Sequence, residues 1–266
     1  MLTDDGSAPT FHSSDTPFVS AAPAMAVDAN CPDAPPLAAG DDDSAQFFQD
    51  HPPNRAYVLD SFTPVPGSDG IWSFVLAIYR ANLEQRGWRR VMVSDAVSGK
   101  PGSFRQLWYG PIGVITADEV AAVAQQPFHL AFVAKLMAGS FTRERLVAMP
   151  YDPGQPAPVE TLNQGPPNAV VINHITVAPR ALARFAFLKQ NFFLPTLQAA
   201  PFQWRLVAAA ARADDPHTVL QIWELPDFDR LPFTMQRIGQ FATYRTCLQP
   251  CIVDEDQEIH EATDWT

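Results

Sequence analysis

Only three cysteines, Cys31, Cys247 and Cys251, occur among the 266 residues. They are too few and too scattered for a disulfide framework, which points to reduced thiols and a cytoplasmic protein. Cys247 and Cys251 stand one helical turn apart, but no His or Cys partners lie nearby and Pro250 interrupts the turn, so a metal pair is not expected. No run of about 18 apolar residues is free of charge or proline, which excludes a helical membrane span. The N-terminus lacks the basic and apolar regions of a signal peptide. Lysine and arginine do not cluster, which speaks against nucleic acid as a partner. A glycine-rich phosphate loop, a G-x-S-x-G elbow, an H-E-x-x-H helix and a C-x-x-C pair are all missing. No nucleotide, flavin, metal or other cofactor is expected.

Charge is equally uneven. The net charge is −11, yet residues 1–54 contain nine aspartates and no Lys, Arg or Glu, which leaves the rest of the chain close to neutral. This stretch is rich in Ala, Pro, Ser and Asp without apolar periodicity, so 1–54 reads as a disordered acidic leader. Phe47 and Phe48 are its exceptions. On this reading a chain starting near Asn54 melts within a few degrees of the full-length protein.

What is present is a repeat. Gln106-Leu107-Trp108 returns 115 residues later as Gln221-Ile222-Trp223, and each copy follows a tryptophan-led apolar run, Trp88 to Val93 and Trp204 to Ala208. Two landmarks in register make two similar units. In the first unit, 55–150, a strand begins at Tyr57. A helix with Ile71, Phe74, Val75 and Ile78 on one face follows, stopped by Gly87. Strands at Trp88 to Asp95 and Phe104 to Tyr109 flank a turn, then come a helix from Thr116 to Met137 and a strand from Phe141 to Met149. A Pro/Gly-rich linker, 151–168, leads to the second unit, 169–266. There the elements are a strand at Val170 to Val177, a helix from Arg180 ending near Pro195, strands at Trp204 to Ala211 and Thr218 to Glu224, a helix from Leu231 to Leu248, and a polar strand at Glu255 to Ala262 that suits an edge or a tail equally well. The order β-α-β-β-α-β is that of a ferredoxin-like domain. The fold class is therefore α+β: two tandem ferredoxin-like units packed sheet to sheet as an intramolecular α+β barrel.

Pro66-Gly67 after the first strand, Gly87-Trp88 entering the second, and Leu107-Trp108 and Ile222-Trp223 in the third carry a resemblance over residues 55–265. The chain resembles the dimeric α+β-barrel superfamily fused in tandem, and within it the NIPSNAP and antibiotic-biosynthesis-monooxygenase branches. The second unit departs from the pattern by having Ala178-Pro179 in place of Pro-Gly. The resemblance implies either a cofactor-free monooxygenase or cyclase acting on a polyketide-like or polycyclic molecule, or a non-catalytic NIPSNAP-like binding or scaffold protein, monomeric or homodimeric. Some relatives handle haem, for which His174 and His129 are the available ligands, although His129 beside Phe128 and Phe132 reads as a core residue.

Strand alternation sorts the faces. If the aliphatic Leu107, Leu220 and Ile222 meet the helices, then Gln106, Trp108, Gln221 and Trp223 look into the barrel. The same logic turns Val91, Val93, Val207, Val171, Ile175 and Val177 toward the helices. It leaves Trp88, Arg90, Met92, Trp204, Leu206, Ala208, Leu59, Ser61, Ile172, His174 and Thr176 luminal. Such a lumen suits a hydrophobic small molecule, with His174 as general base, Arg90 as oxyanion partner, and Trp88, Gln106, Trp108, Trp204, Gln221, Trp223, Ser61 and Met92 as its lining. The tryptophans serve equally as core, His174 as a hydrogen-bonded interior histidine, and Arg90 as an edge residue reaching water.

Overall fold

The computed structural model describes residues 31, 34–40, 42–65, 77, 80–81, 83–85, 87–98, 102–111, 138–153, 169–225 and 241–262. The helix expected at 116–137, most of those expected at 71–86 and 231–248, and linker residues 154–168 lie outside these. Eight strands carry the fold: β1 Arg55–Pro64, β2 Arg89–Ala96, β3 Phe104–Pro111, β4 Ala138–Ala148, β5 Ala169–Val177, β6 Arg205–Arg212, β7 Thr218–Leu225 and β8 Ile252–Ala262. They close into an antiparallel barrel in the order β1-β3-β2-β8-β5-β7-β6-β4. Each unit keeps the ferredoxin-like order, β4-β1-β3-β2 and β8-β5-β7-β6. The units join at two short seams, β2 with β8 at Ser94 to Ala96 and β4 with β6 at Leu146 to Ala148. The polar β8 is therefore no free edge, since it pairs along its length with β5 as well.

The repeat extends to irregularities. Register shifts fall between Arg90 and Met92 in β2 and between Leu206 and Ala208 in β6, at matching places in the two units. A bulge turns two consecutive side chains to one face, and this decides where the valines go. One buried cluster takes Tyr57, Leu59, Val91, Met92, Leu107, Leu146, Ala148, Val170, Ile172, Val207, Ala208, Ala210, Leu220, Ile222 and Ala262, which come from all eight strands. Only the inside of a closed barrel collects such a set, so this cluster is the lumen.

The face assignment made from alternation is thus half reversed. Leu107, Leu220, Ile222, Val91 and Val207 are luminal, while Trp204, Leu206 and Trp223 belong to a second cluster outside the barrel. Leu59, Met92, Ala208 and Ile172 are luminal as expected. The physical reason is twofold: the bulges break the period of two, and the dehydrated centre of a narrow barrel takes compact aliphatics while bulky indoles fit the outer layer.

Outside the second unit lies a continuous helical stretch: α2, Leu182–Leu188, then a π-helical turn, Lys189–Phe193, then α3, Leu194–Gln198. Pro195 does not end the helix. It lies where the π-helical turn passes into α3, and its carbonyl accepts from the Ala199 N–H at 3.1 Å. Leu182, Phe185 and Leu188 of α2 pack on Val171, Ile175, Val219 and Trp223. Among the described residues no helix is long and apolar enough to cross a membrane. In the first unit Gly87 ends its helix as expected, with φ 83° and its N–H donated to Glu84.

The expected leader is corrected in its second half. Helix α1, Ser44–Asp50, buries Phe47 against the second unit. Asp43 accepts hydrogen bonds from the N–H groups of Leu182 and Ala183 at 2.9 and 3.3 Å and so caps α2. Ala38 and Arg180 exchange backbone and side-chain bonds, and Arg184 donates to the Pro35 carbonyl at 3.1 Å. Cys31 and Cys247 form a disulfide, with Cα atoms 6.0 Å apart, whereas Cys251 is free and buried. That bridge contradicts the expectation of reduced thiols. A low apolar density overall hid one phenylalanine and one cysteine with defined seats on the body.

A chain starting at Asn54 loses the disulfide, the Phe47 anchor and the α2 cap together, on the order of 3 kcal/mol or more. Its Tm is expected to fall by roughly 5–10 °C in a thermal melt, and a melt coincident with the full-length chain would show that the segment adds nothing. Residues 55–153 and 169–266 expressed apart each bare one luminal face, and size-exclusion chromatography is expected to show association or collapse. Two monomeric, cooperatively melting halves would contradict a shared lumen core.

Candidate functional site

Pairing register places the sequence candidates on two different surfaces. Residues directly opposite on antiparallel strands share a face. His174 faces Leu220, and Ser61 faces Arg105 two positions along from luminal Leu107, so His174 and Ser61 join Met92 on the lumen side. Arg90 faces Trp108, which faces Val58, and Gln106 faces Asp60, so Arg90, Gln106 and Trp108 are outside. Trp88 is outside too, its ring meeting Gly110 at 3.5 Å from where a Cβ would stand. His174 and Arg90 thus lie on opposite sides of the barrel wall and cannot act on one atom of a substrate.

The lumen end near His174 holds charges that sequence reasoning missed. Arg105 makes a two-pronged pair with Glu258 at 2.9 to 3.2 Å, and His260, fully buried, lies 3.0 Å from the same carboxylate. Burial pushes Glu258 up, but the hydrogen bonds from His260 and Arg105 outweigh it and hold the carboxyl down at about 2. Arg105 is therefore neutralised inside the protein. The Nε2 atom of His174 is buried with no hydrogen-bond partner. Toward the middle, Leu59, Leu107, Ile172 and Ile222 are fully buried and fill the barrel.

Outside, the two units carry matched polar rows across the centre of each sheet. In the first, Arg143, Asp60 and Gln106 stand side by side; in the second, Gln257, Asn173 and Gln221 do. The first row is self-compensated: Arg143 donates to both oxygens of the fully buried Asp60 at 2.7 and 2.9 Å, and Trp108 donates its indole N–H to Gln106 at 3.3 Å. The second row is neutral and meets a cation from the helix. Lys189, in the π-helical turn, donates to Gln221 Oε1 at 3.0 Å, and Gln221 Nε2 donates to the Tyr151 hydroxyl at 2.7 Å. The ammonium also stands 5.4 Å from the centre of the Phe185 ring.

No carboxylate among the described residues forms an ion pair with Lys189. Burial drives its amine down to about 8, and the more distant charge of Glu255 only partly offsets this. Next to it, the buried Oδ1 of Asn173 lacks a hydrogen-bond partner, and Trp204 and Trp223 stack edge to face with centroids 5.9 Å apart. Buried lysines without a paired carboxylate are costly, and strongly perturbed groups of this kind concentrate at functional sites. Nothing in the repeat motif marked Lys189; its position in the helix preceding a tryptophan-led strand was the only available signal. A separate groove of about 510 Å³, lined by Pro195, Thr196, Ala199, Ala200, Pro201, Phe202 and Phe241, opens beyond α3 and does not include Lys189 or Gln221.

No protein-family model matches the sequence, and no curated protein sequence does. Solved structures share the architecture. A proposed monooxygenase of Fusobacterium nucleatum superposes with a TM-score of 0.56 at 10% identity, over 80% of this chain and 94% of that one. An anthrone oxidase-like protein matches with 0.54 at 11% identity, over 79% and 92%. A variant of chlorite dismutase from Candidatus Nitrospira defluvii matches with 0.52 at 8% identity, over 80% and 92%. The chain has the dimeric α+β-barrel fold. Both halves of this barrel come from one polypeptide. Of the two histidines considered for haem, His129 is outside the described residues and His174 faces a lumen filled by side chains, which does not fit a porphyrin.

Because the Lys189 amine titrates near 8 in the folded α+β barrel and near 10.5 in the unfolded chain, the unfolded state binds more protons between these values. Stability from this group is therefore expected to rise with pH from about 8 to about 10.5. Lys189→Met should remove that slope and stabilise the protein at neutral pH by on the order of 2 kcal/mol. Urea denaturation of both proteins across this range reads the difference, and parallel profiles would mean the lysine is compensated in the fold.

Proposed function

We propose that the chain is an enzyme that oxygenates or cyclises a hydrophobic, ring-bearing, polyketide-like molecule without a bound cofactor. The reacting oxygen of that molecule sits on Lys189 in the layer between sheet and helix of the second unit. The observation that carries this reading is the buried Lys189 ammonium, which has no ion pair among the described residues and donates to Gln221 in the row that also holds Asn173. Its counterpart row in the first unit is already neutralised by Arg143 and Asp60. The fold is also one on which a proposed monooxygenase and an anthrone oxidase-like protein are built.

Chemically, an amine with a pKa near 8 is neutral in roughly a tenth of molecules at pH 7. Neutral Lys189 takes the proton of a phenol or enol, and the resulting ammonium pairs with the oxyanion so formed in a site of low polarity. Gln221 holds the amine in place, and Trp204 and Trp223 form an apolar aromatic wall. Electron density pushed into the ring then makes its carbon reactive toward O2 or toward an internal carbonyl. Dehydration of the layer strengthens the ion pair.

A second reading, a non-catalytic NIPSNAP-like binding or scaffold protein, is favoured by one observation: the lumen is packed with aliphatic side chains from every strand. The two readings separate on anthrone in air. As an enzyme, the chain converts anthrone and O2 to anthraquinone and water, read by absorbance and by one O2 consumed per product. Turnover should rise with pH through about 8, as the neutral amine is the acceptor. Lys189→Met should lower it by about 10²–10⁴, and His174→Ala should leave it within about twofold, since no reacting group depends on the lumen. Loss in His174→Ala with activity kept in Lys189→Met would move the site to the lumen. Saturable quenching of tryptophan fluorescence without O2 uptake would establish the binding reading instead.

A further inference from the structure

The N-terminal segment meets the body at a cluster that the proposed chemistry does not use. Asp42 and Asp43, in the turn before α1, and His217, in the turn between β6 and β7, each bring a ligating atom within 4.8 Å of the others. Asp42 is exposed, and its Oδ1 accepts from the Ser44 N–H at 2.7 Å and lies 2.8 Å from His217 Nε2. Asp43 is only 7% exposed. Its Oδ2 is taken up by the N–H groups of Leu182 and Ala183, but its Oδ1 is buried and has no hydrogen-bond partner. His217 Nδ1 is likewise buried without a partner. A serine or threonine would cap α2 as well as Asp43 does, so capping does not account for a second carboxylate oxygen buried in this cluster.

We propose that Asp42, Asp43 and His217 bind one divalent transition-metal ion of the manganese or zinc class, which fastens the segment before α1 to the second unit. Two carboxylates and an imidazole are a donor set these ions accept, and an imidazole is a poor ligand for calcium or magnesium. Two negative charges balance the ion while Asp43 Oδ2 stays on the helix. The buried Oδ1 of Asp43 has no hydrogen-bond partner, and a cation bound there would satisfy it. Solvent at Asp42 supplies the entry path and the remaining ligands. Together with the Cys31–Cys247 bridge the ion clips the segment at two separate points.

The test uses the full chain, stripped with chelator, dialysed and titrated by calorimetry with MnCl2, ZnCl2, CaCl2 and MgCl2 in turn. One equivalent of manganese or zinc is expected to bind, with calcium and magnesium at least about tenfold weaker, and saturation with the bound ion should raise Tm by several degrees. Asp42→Asn, whose amide oxygen can still accept from Ser44 and His217, should weaken binding by about tenfold or more, read against its own apo Tm. His217→Gln should do the same, and if that variant folds poorly Asp42→Asn decides alone. No saturable binding of either ion, or equal binding by the parent and by both variants, would overturn the site.

Discussion

Closure of the barrel is the constraint on which everything else rests. Each ferredoxin-like sheet has an inner face of aliphatic side chains, and these are dry only when the second sheet completes the ring through two three-residue seams. Because the inside is filled by compact residues, the larger and more polar groups of both repeats are displaced outward. The barrel thus forms the packed core of the fold.

The outer faces of the two sheets carry matched rows of different charge. Both sheets carry a polar row at the same register positions, yet Asp60 pairs with Arg143 in the first, whereas no carboxylate among the described residues forms an ion pair with Lys189 in the second and only the field of Glu255 reaches it. A paired charge offsets part of its desolvation cost, whereas an ammonium held by neutral groups offsets less of it. The π-helical turn is what brings Lys189 to this position, since it interrupts the α-helical register between α2 and α3.

The acidic N-terminal region illustrates how composition misleads. Nine aspartates and a high Ala/Pro content mark 1–54 as unable to form a core of its own, which is correct as physics. A segment needs no core of its own when it borrows one: Phe47 inserts into the second unit, Asp43 caps α2, and Cys31 reaches a partner 216 residues away. None of these contacts leaves a periodic trace, because each involves a single residue.

The sequence by itself determined the tandem repeat, the ferredoxin-like fold class and the positions of most strands, because spacing of 115 residues and local apolar periodicity are properties of the chain alone. It also placed His174, Ser61, Leu59, Ile172 and Met92 on the luminal side, where alternation runs undisturbed or the bulge happens to restore it. Only the tertiary structure decided which face of β3 and β7 is inside. Gln-Leu-Trp and Gln-Ile-Trp alternate equally well in either sense, and the choice depends on whether aliphatics or indoles better fill a narrow ring. It alone separated Arg90 from His174, through a bulge that no residue type announces, and it alone revealed Lys189 beside Gln221. Burial of a charge is set by what folds over it, and that is decided by contacts between distant parts of the chain.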